Sequence, residues 1–445
     1  MYNKLEPKTK PHIVVVGGGA GGLELTTRLG DYFGRKGLAR ISLIDSQVSH
    51  VWKPLLHEVA SGVLDSSADN VSYLMHAKQH HFDFHYGAMH GLDRKSREII
   101  LAPMVDEDGH EIMAQHNISY DYLVFSIGSL SNDFGTEGVN EHCFFLDHRT
   151  EAERFHEKLM TSCIRADYQR WQGHDADKDV TVAIVGGGAT GVELSAELHH
   201  SIKELNAYGL ENFGNEHLHI TLLEAGPRIL PALPEYISST AHSELEKLGV
   251  TVLEGTTVSK VTKEGMITSD GKMIPASIKV WAAGIKAPDF LNHIDGLETN
   301  RINQLVVKPT LQTTNDERIF AIGDCCSCPQ EGSDRAVPPR AQSANQMATH
   351  TFKNFKRMFA SAALLSFKYN DKGSLVSISS FSAVGGLLGK MFHKDGFKVE
   401  GWTARILYAS LYRLHLAALH GWSRTILLML AGQIGRVVKP RMKLH

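Results

Sequence analysis

Two glycine clusters carry the first chemistry this sequence shows. Gly17, Gly19 and Gly22 form one G-x-G-x-x-G pattern, and Gly186, Gly188 and Gly191 form a second. Each is followed, after a helical stretch and a further β-branched run, by a carboxylate: Asp45 in the first case and Glu224 in the second. In such a turn the first glycine permits a tight bend, the second lets a pyrophosphate approach the backbone, and the third allows close helix–strand packing. Ala20, Ala189 and Thr190 lie within these turns, and the helices that follow offer N-terminal N–H groups and a dipole that attract phosphate. The closing acid accepts hydrogen bonds from ribose hydroxyls. A single match is weak evidence, because glycine clusters also make plain turns. Two matches in full context predict a chain that holds two dinucleotides. Glu224 would repel a 2′-phosphate and receive a 2′-hydroxyl, which predicts NADH over NADPH. Arg228 competes with that reading, and Pro227 between them is expected to turn it aside.

The elements that must position these residues are legible in the patterning. His12–Val16 is a β-branched run, Leu23–Leu29 a helical pattern, and Ala39–Ile44 a second strand ending on Asp45. The order recurs as Val180–Val185, helix Val192–Leu205, and strand Leu218–Leu223 ending on Glu224. Three further strands end on small residues: Tyr120–Gly128, with Ser126 and Gly128; Ile278–Gly284, with Ala283 and Gly284; and Ile319–Asp324, with Gly323 and Asp324. Strand C-termini are where open α/β sheets bind ligands. Pro338-Pro339-Arg340-Ala341-Gln342 reads as a helix start with proline at the first helical position. Gln342 and Gln346, four apart, share a face of that helix. The fold class is therefore α/β, with two Rossmann-like dinucleotide-binding domains. Expected divisions are 1–150 (first part of the first nucleotide domain), 151–300 (second nucleotide domain), 301–385 (return to the first domain) and 386–445 (C-terminal segment).

Composition narrows the class. The 445 residues are 42% hydrophobic and 21% charged, with five cysteines, which excludes a disordered chain and a disulfide scaffold and points to a reducing compartment. Residues 1–12 lack an apolar stretch, so no signal peptide is expected. Charge is unevenly placed: residues 401–445 carry seven Lys or Arg and no acid, against an overall net charge of −3. A basic, apolar tail suits an anionic partner surface, and its leucines and aromatics favour a membrane over nucleic acid. Its longest uncharged stretch near the end, 425–435, is too short to span a bilayer, which takes about 20 residues. Leu407, Leu411, Leu414, Ala418 and Trp422 form one apolar helical stripe, with Arg413, His420 and Arg424 opposite. An interfacial amphipathic helix is expected.

Cys325, Cys326 and Cys328 follow Asp324 directly. A structural zinc site would need a second ligand pair that the sequence lacks. Buried inert thiols are the favoured reading, while a redox dithiol stays open. The 25 histidines show no metal-binding spacing, and no metal is expected.

With those motifs in place, the chain resembles the two-dinucleotide flavoprotein reductases, and among them the bacterial type II NADH:quinone oxidoreductases, the enterobacterial type most closely. The resemblance runs through Val15–Leu25, Trp52–Ala60, Val182–Leu198, Trp281–Gly284, Phe320–Asp324 and Pro338–Gln346. It implies that the first fingerprint holds non-covalent FAD and the second holds NADH. Hydride then passes to the flavin and two electrons to a membrane quinone, without ion pumping. It implies that Asp324 receives the ribityl chain, that Lys53 and Pro54 lie along the flavin, and that Ala341, Gln342 and Gln346 border the quinone head. It also places Glu193 between nicotinamide and flavin, as an orienting group or a proton carrier. A helix dipole alone would equally explain an acid in that first turn. A homodimer on the cytoplasmic face of the inner membrane is implied, bound peripherally to anionic lipid through 401–445, with no nucleic-acid partner. Two rivals remain: a soluble disulfide or ferredoxin reductase, and a non-catalytic NADH sensor.

Overall fold

The β-branched runs pair as parallel strands, and His12–Val16, the central one of its sheet, is buried on both faces, which only a sheet covered by helices allows. The computed structural model describes residues 10–64, 70–106, 108–173, 179–207, 209–377, 383–387, 397–400, 413, 415–427 and 429. In chain order, the elements that matter here are β1 (His12–Val16), α1 (Ala20–Leu29), β2 (Arg40–Asp45), α2 (Leu56–Ala60), β3 (Asp83–Tyr86), β4 (Tyr122–Phe125), α3 (Arg149–Trp171), β5 (Val180–Val185), α4 (Ala189–Ala207), β6 (Leu218–Leu223), β7 (Thr251–Leu253), β8 (Ile278–Trp281), β9 (Ile319–Ala321) and α5 (Ala341–Phe359).

The chain divides into two units. The first comprises Met1–Trp52, Asn70–Leu130 and Ile285–Asn370; the second comprises Lys53–Asp69, Ser131–Gly284 and Asp371–His445. The first unit holds a five-stranded parallel sheet in the order β9-β4-β1-β2-β3. Its central strand is wholly buried, with Ile13, Val14 and Val15 at 0% exposure. The second unit holds a four-stranded parallel sheet in the order β7-β6-β5-β8. The first unit adds a three-stranded antiparallel sheet from 89–119, and the second adds two, one from 258–275 and one from Gly373–Ser377, Ala383–Leu387 and Phe397–Glu400. Strand order reverses beside β1 and again beside β5, so the glycine turns stand at the switch points where open sheets bind nucleotides.

Two expectations are corrected here. The helix α5 begins at Ala341, with Arg340 as its extended N-cap, so neither proline occupies the first helical position. The prolines precede the cap, where the Ser343 hydroxyl donates to the Pro338 carbonyl (2.7 Å). In the tail, Gly421 sits at φ +75° and interrupts the helical run between 415–420 and 422–427. A left-handed residue ends an α-helix, so Ala418 and Trp422 do not lie on one continuous helix. Trp422, Ile426 and Leu427 are exposed, while Leu419 is buried. Leu407, Leu411 and Leu414 lie outside the described residues. Among the described residues no helix is long and apolar enough to cross a membrane.

Candidate active site

The two glycine turns are built alike, contact for contact. In the first unit Gly17 N–H donates to the Ile44 carbonyl (2.8 Å) and Leu23 N–H to the Gly19 carbonyl (3.0 Å). In the second, Gly186 N–H donates to Leu223 (2.8 Å) and Val192 N–H to Gly188 (3.1 Å). Gly17 and Gly186 adopt φ of +97° and +110°, which an L side chain rarely tolerates. A Cβ on Gly17 would overlap the Ser126 carbonyl, and one on Gly186 the Ala282 carbonyl. The third glycine is equally constrained: a Cβ on Gly22 would overlap the Gly17 oxygen, and one on Gly191 the Gly186 oxygen. The middle glycines differ. Gly19 and Gly188 face open space, with nothing within 4 Å of a Cβ. Crowding at the outer glycines and clearance at the middle one is the shape a pyrophosphate cradle needs, so each turn fits the pyrophosphate of a dinucleotide such as FAD or NADH.

Each closing acid locks its turn. Asp45 Oδ2 accepts from Gly18 N–H (2.6 Å) and Oδ1 from Gln47 N–H (2.7 Å). Glu224 Oε2 accepts from Gly187 N–H (2.7 Å) and Oε1 from Gly226 N–H (2.6 Å). Arg228 is held away from that carboxylate, since its guanidinium donates to the carbonyls of Leu230, Pro231 and Leu233 (3.3, 3.0 and 2.8 Å).

The first unit also gathers the strand-end residues. Ser126 N–H donates to the Val16 carbonyl (2.8 Å), placing Ser126 beside the first glycine. Asp324 lies in a short 3-10 turn, Gly323–Cys325, after β9. Its Oδ2 accepts from the Ser129 hydroxyl (3.1 Å), and its backbone carbonyl from Gln304 Nε2 (2.8 Å). Gly323 N–H points at the Met347 sulfur on α5 (3.3 Å), and Gly128 faces open space. Ala341 and Gln342 occupy the first turn of α5. Gln346 is differently engaged: its Nε2 donates to the Asn370 carbonyl (2.9 Å) and its Oε1 accepts from the Asn370 N–H (3.0 Å). Both ends of that amide serve the backbone.

In the second unit, Lys53 pairs with Asp147 (2.9 Å), whose other oxygen accepts from Ser131 N–H (2.8 Å). Pro54 is exposed beside it. Glu193 is 6% exposed, with His57 Nδ1 of α2 3.6 Å from its Oε2. Burial pushes His57 down to about 4, opposed by a hydrogen bond to the Pro54 carbonyl, so its ring is neutral at pH 7. Ala283 and Gly284 follow β8, where Ala282 N–H donates to Val185 (2.8 Å), just as Ser126 follows β4.

Several supporting residues carry no signal in the sequence. The Gly18 carbonyl accepts from both the Tyr73 hydroxyl (2.8 Å) and His50 Nδ1 (2.9 Å). Burial lowers His50 to about 4, and since a carbonyl only accepts, Nδ1 is the protonated nitrogen. Tyr73 and His50 lie at no motif spacing from Gly18, nor His57 from Glu193.

All five cysteines are free. Burial pushes the Cys325 and Cys328 thiols up to about 11 and about 12, so neither is a thiolate at pH 7. Thiol protonation of this kind marks structural cysteines and not nucleophiles. Asp106, Asp108 and His110 cluster on an exposed hairpin; exposed acids of this kind are common without a metal.

Compared with known families, residues 11–348 match the one described as pyridine nucleotide-disulphide oxidoreductase. That is the class the two cradles define. Type II NADH:quinone oxidoreductase of Haemophilus influenzae is 46% identical over 444 residues, covering 98% of this chain and 100% of that protein. The Staphylococcus aureus enzyme of that name is 29% identical over 85% of this chain and 90% of its own length. Among solved structures, NDH2 from Plasmodium falciparum in complex with NADH superposes with a TM-score of 0.80 at 19% identity, over 98% of this chain and 100% of that one. The chain belongs to the type II NADH:quinone oxidoreductase family.

Proposed function

We propose that this protein is a respiratory NADH:quinone oxidoreductase that converts NADH, a proton and a membrane quinone into NAD⁺ and quinol. The observation that carries the reading is the pair of matched cradles, one per unit, in a chain 46% identical to an enzyme of that name. The first unit is the FAD domain and the second the NADH domain. Bound FAD supplies the two-electron relay between a hydride donor and a quinone.

The chain's own residues bind, orient and handle protons. Gly17, Gly19, Ala20 and Gly22 receive the flavin pyrophosphate, Asp45 its ribose, and Asp324 its ribityl hydroxyls, with Ser126, Gly128, Gly323, Lys53, Pro54 and Ala341 lining the rest. Gly186, Gly188, Ala189, Thr190 and Gly191 receive the NADH pyrophosphate, Glu224 its adenosine ribose, and Ala283 and Gly284 the nicotinamide half. Glu193 is the carboxylate that orients the nicotinamide or handles the proton. Gln342 donates to a quinone carbonyl and, with Ala341 and Gln346, borders the quinone head, the Gln346 amide being held by the Asn370 backbone.

Membrane contact belongs to the same proposal. Binding is peripheral, on the cytoplasmic face where NADH is made available, and the exposed Trp422, Ile426 and Leu427 with the tail's unopposed positive charge support it. Nearby anionic lipid attracts each Lys or Arg by ~1 kcal/mol. A homodimer is the expected assembly. The disulfide-reductase reading loses its support, because it needs a reactive thiolate that buried Cys325 and Cys328 do not provide.

The test is anaerobic mixing with NADH, followed by reoxidation with a short-chain quinone. Gln342→Ala should slow reoxidation while flavin bleaching by NADH stays near wild-type. Slowed bleaching with normal reoxidation would overturn the quinone assignment.

A further inference from the structure

The duplicated fold places an acid at the same point twice. Glu24 stands seven residues after Gly17, as Glu193 stands seven after Gly186. The two are embedded differently. The residue four beyond Glu24 is Arg28, whereas the residue four beyond Glu193 is Glu197. Glu24 is 0% exposed, and its Oε1 takes both Nη2 and Nε of Arg28 (2.8 and 2.9 Å). The same oxygen accepts from the Thr349 hydroxyl (3.3 Å), and Oε2 accepts from Asn345 Nδ2. Burial raises the Glu24 pKa, and Arg28, Thr349 and Asn345 oppose the rise.

Asn345 and Thr349 are on α5, one turn apart, and Gln342 is one turn before Asn345. The helices approach closely here: a Cβ on Gly21 would stand 3.1 Å from the Ala344 carbonyl. A side chain there would push the pair apart. One buried carboxylate therefore ties the helix that opens the first cradle to the helix that carries Gln342. A charged acceptor makes the stronger kind of hydrogen bond, and breaking a buried pair leaves its partners unsatisfied.

We propose that Glu24 is a positioning residue for quinone reduction, locking α5 onto α1 so that Gln342 keeps its place relative to the flavin cradle. The proposal rests on the reading of Gln342 as a quinone ligand. It gives the equivalent acids of the two units separate tasks: Glu24 braces a helix, while Glu193 stands beside a neutral histidine at the start of α4.

The test compares Glu24→Ala, Glu24→Gln, Asn345→Ala and the Glu24→Ala/Asn345→Ala double variant as full-length, FAD-loaded protein. Glu24→Ala should raise the KM for a short-chain quinone about tenfold, the equivalent of one charge-assisted hydrogen bond (~1.4 kcal/mol). Flavin bleaching by NADH should be unchanged. Glu24→Gln should recover part of the loss, because its amide can still bond Asn345 and Thr349. The double variant should be no worse than Glu24→Ala alone, the signature of residues acting through one link. If Glu24→Ala does not load FAD, Asn345→Ala and Thr349→Ala break the link from the other helix and must raise the quinone KM. An unchanged quinone KM in loaded variants, or strictly additive losses, overturns the proposal. Gln342→Ala in the same assay separates the two ideas. If it leaves the quinone KM unchanged the quinone assignment fails; if it raises KM and the Glu24 variants do not, the bracing role alone fails.

Discussion

Glu224→Gln offers the sharpest test of nucleotide choice. The carboxylate is fixed by two backbone donors, Gly187 at 2.7 Å and Gly226 at 2.6 Å, so its charge has a defined position. A 2′-phosphate carries about −1.5 to −2 charges. At about 5 Å and an effective dielectric near 20, each like-charge pair costs about 3 kcal/mol. Salt and solvent reduce that at a half-exposed site, so removing the charge should improve NADPH relative to NADH by roughly ten- to a hundredfold in kcat/KM. Full reversal is not expected, because Arg228 already donates to three carbonyls and is not available to clamp the phosphate. NADH itself should suffer as well. Glutamine offers one acceptor where the carboxylate offered two, leaving one glycine N–H facing an NH₂ group at a cost of about 1–3 kcal/mol. Steady-state kinetics with both nucleotides, at fixed quinone and ionic strength, measures the ratio. A ratio unchanged from wild-type removes Glu224 from this role, and a changed quinone KM would show that the substitution disturbs more than the ribose pocket.

Replacing Cys325 and Cys328 together by serine should leave NADH:quinone turnover largely intact in FAD-loaded protein; loss of flavin reoxidation would restore the dithiol reading. Burial holds His12 and His50 of the first unit at about 4, below their unfolded value near 6.5. The unfolded chain then binds protons that the folded one does not, so stability falls as pH drops from about 6.5 to about 4 and levels off below. Two such groups imply a loss on the order of 2–3 kcal/mol per pH unit near pH 5, and a urea midpoint flat across that window contradicts it. Deleting 401–445 should abolish binding to anionic liposomes while retaining FAD; because apolar insertion is not screened as charge is, high salt alone should release the intact protein only partly. Equal co-sedimentation of both forms would place the membrane contact elsewhere.

What the sequence made legible is local. The glycine turns, the strands on either side and the closing acids are contiguous patterns whose chemistry is set within about 40 residues, and β1, β5 and β6 fall where the β-branched runs put them. What stayed hidden depends on partners distant in the chain. The Gly18 carbonyl is braced by His50 and Tyr73, and Glu24 by residues more than 300 positions away. Gln346 reads in the sequence as a residue bordering the quinone head, and nothing there shows that the Asn370 backbone engages both ends of its amide. Pro338 and Pro339 precede the cap of α5 and do not open the helix, and the tail's apolar periodicity runs past the left-handed Gly421, which a pattern of residue types does not register.

The order of strands in the first sheet has a consequence for how the protein is made. β9 pairs with β4 although nearly 200 residues separate them, and the β5–β8 sheet lies wholly within that interval. On a ribosome releasing the chain from its N-terminus, the inserted sheet is complete before the last strand of the outer one emerges. The first unit must therefore wait with an open sheet edge beside β4, and closing a loop that long carries an entropic cost. An exposed edge of Leu123, Val124 and Phe125 is a template for unwanted pairing. Pairing of β9 closes that edge, and until residues 319–324 arrive a ligand that also needs the turn after β9 has only part of its site.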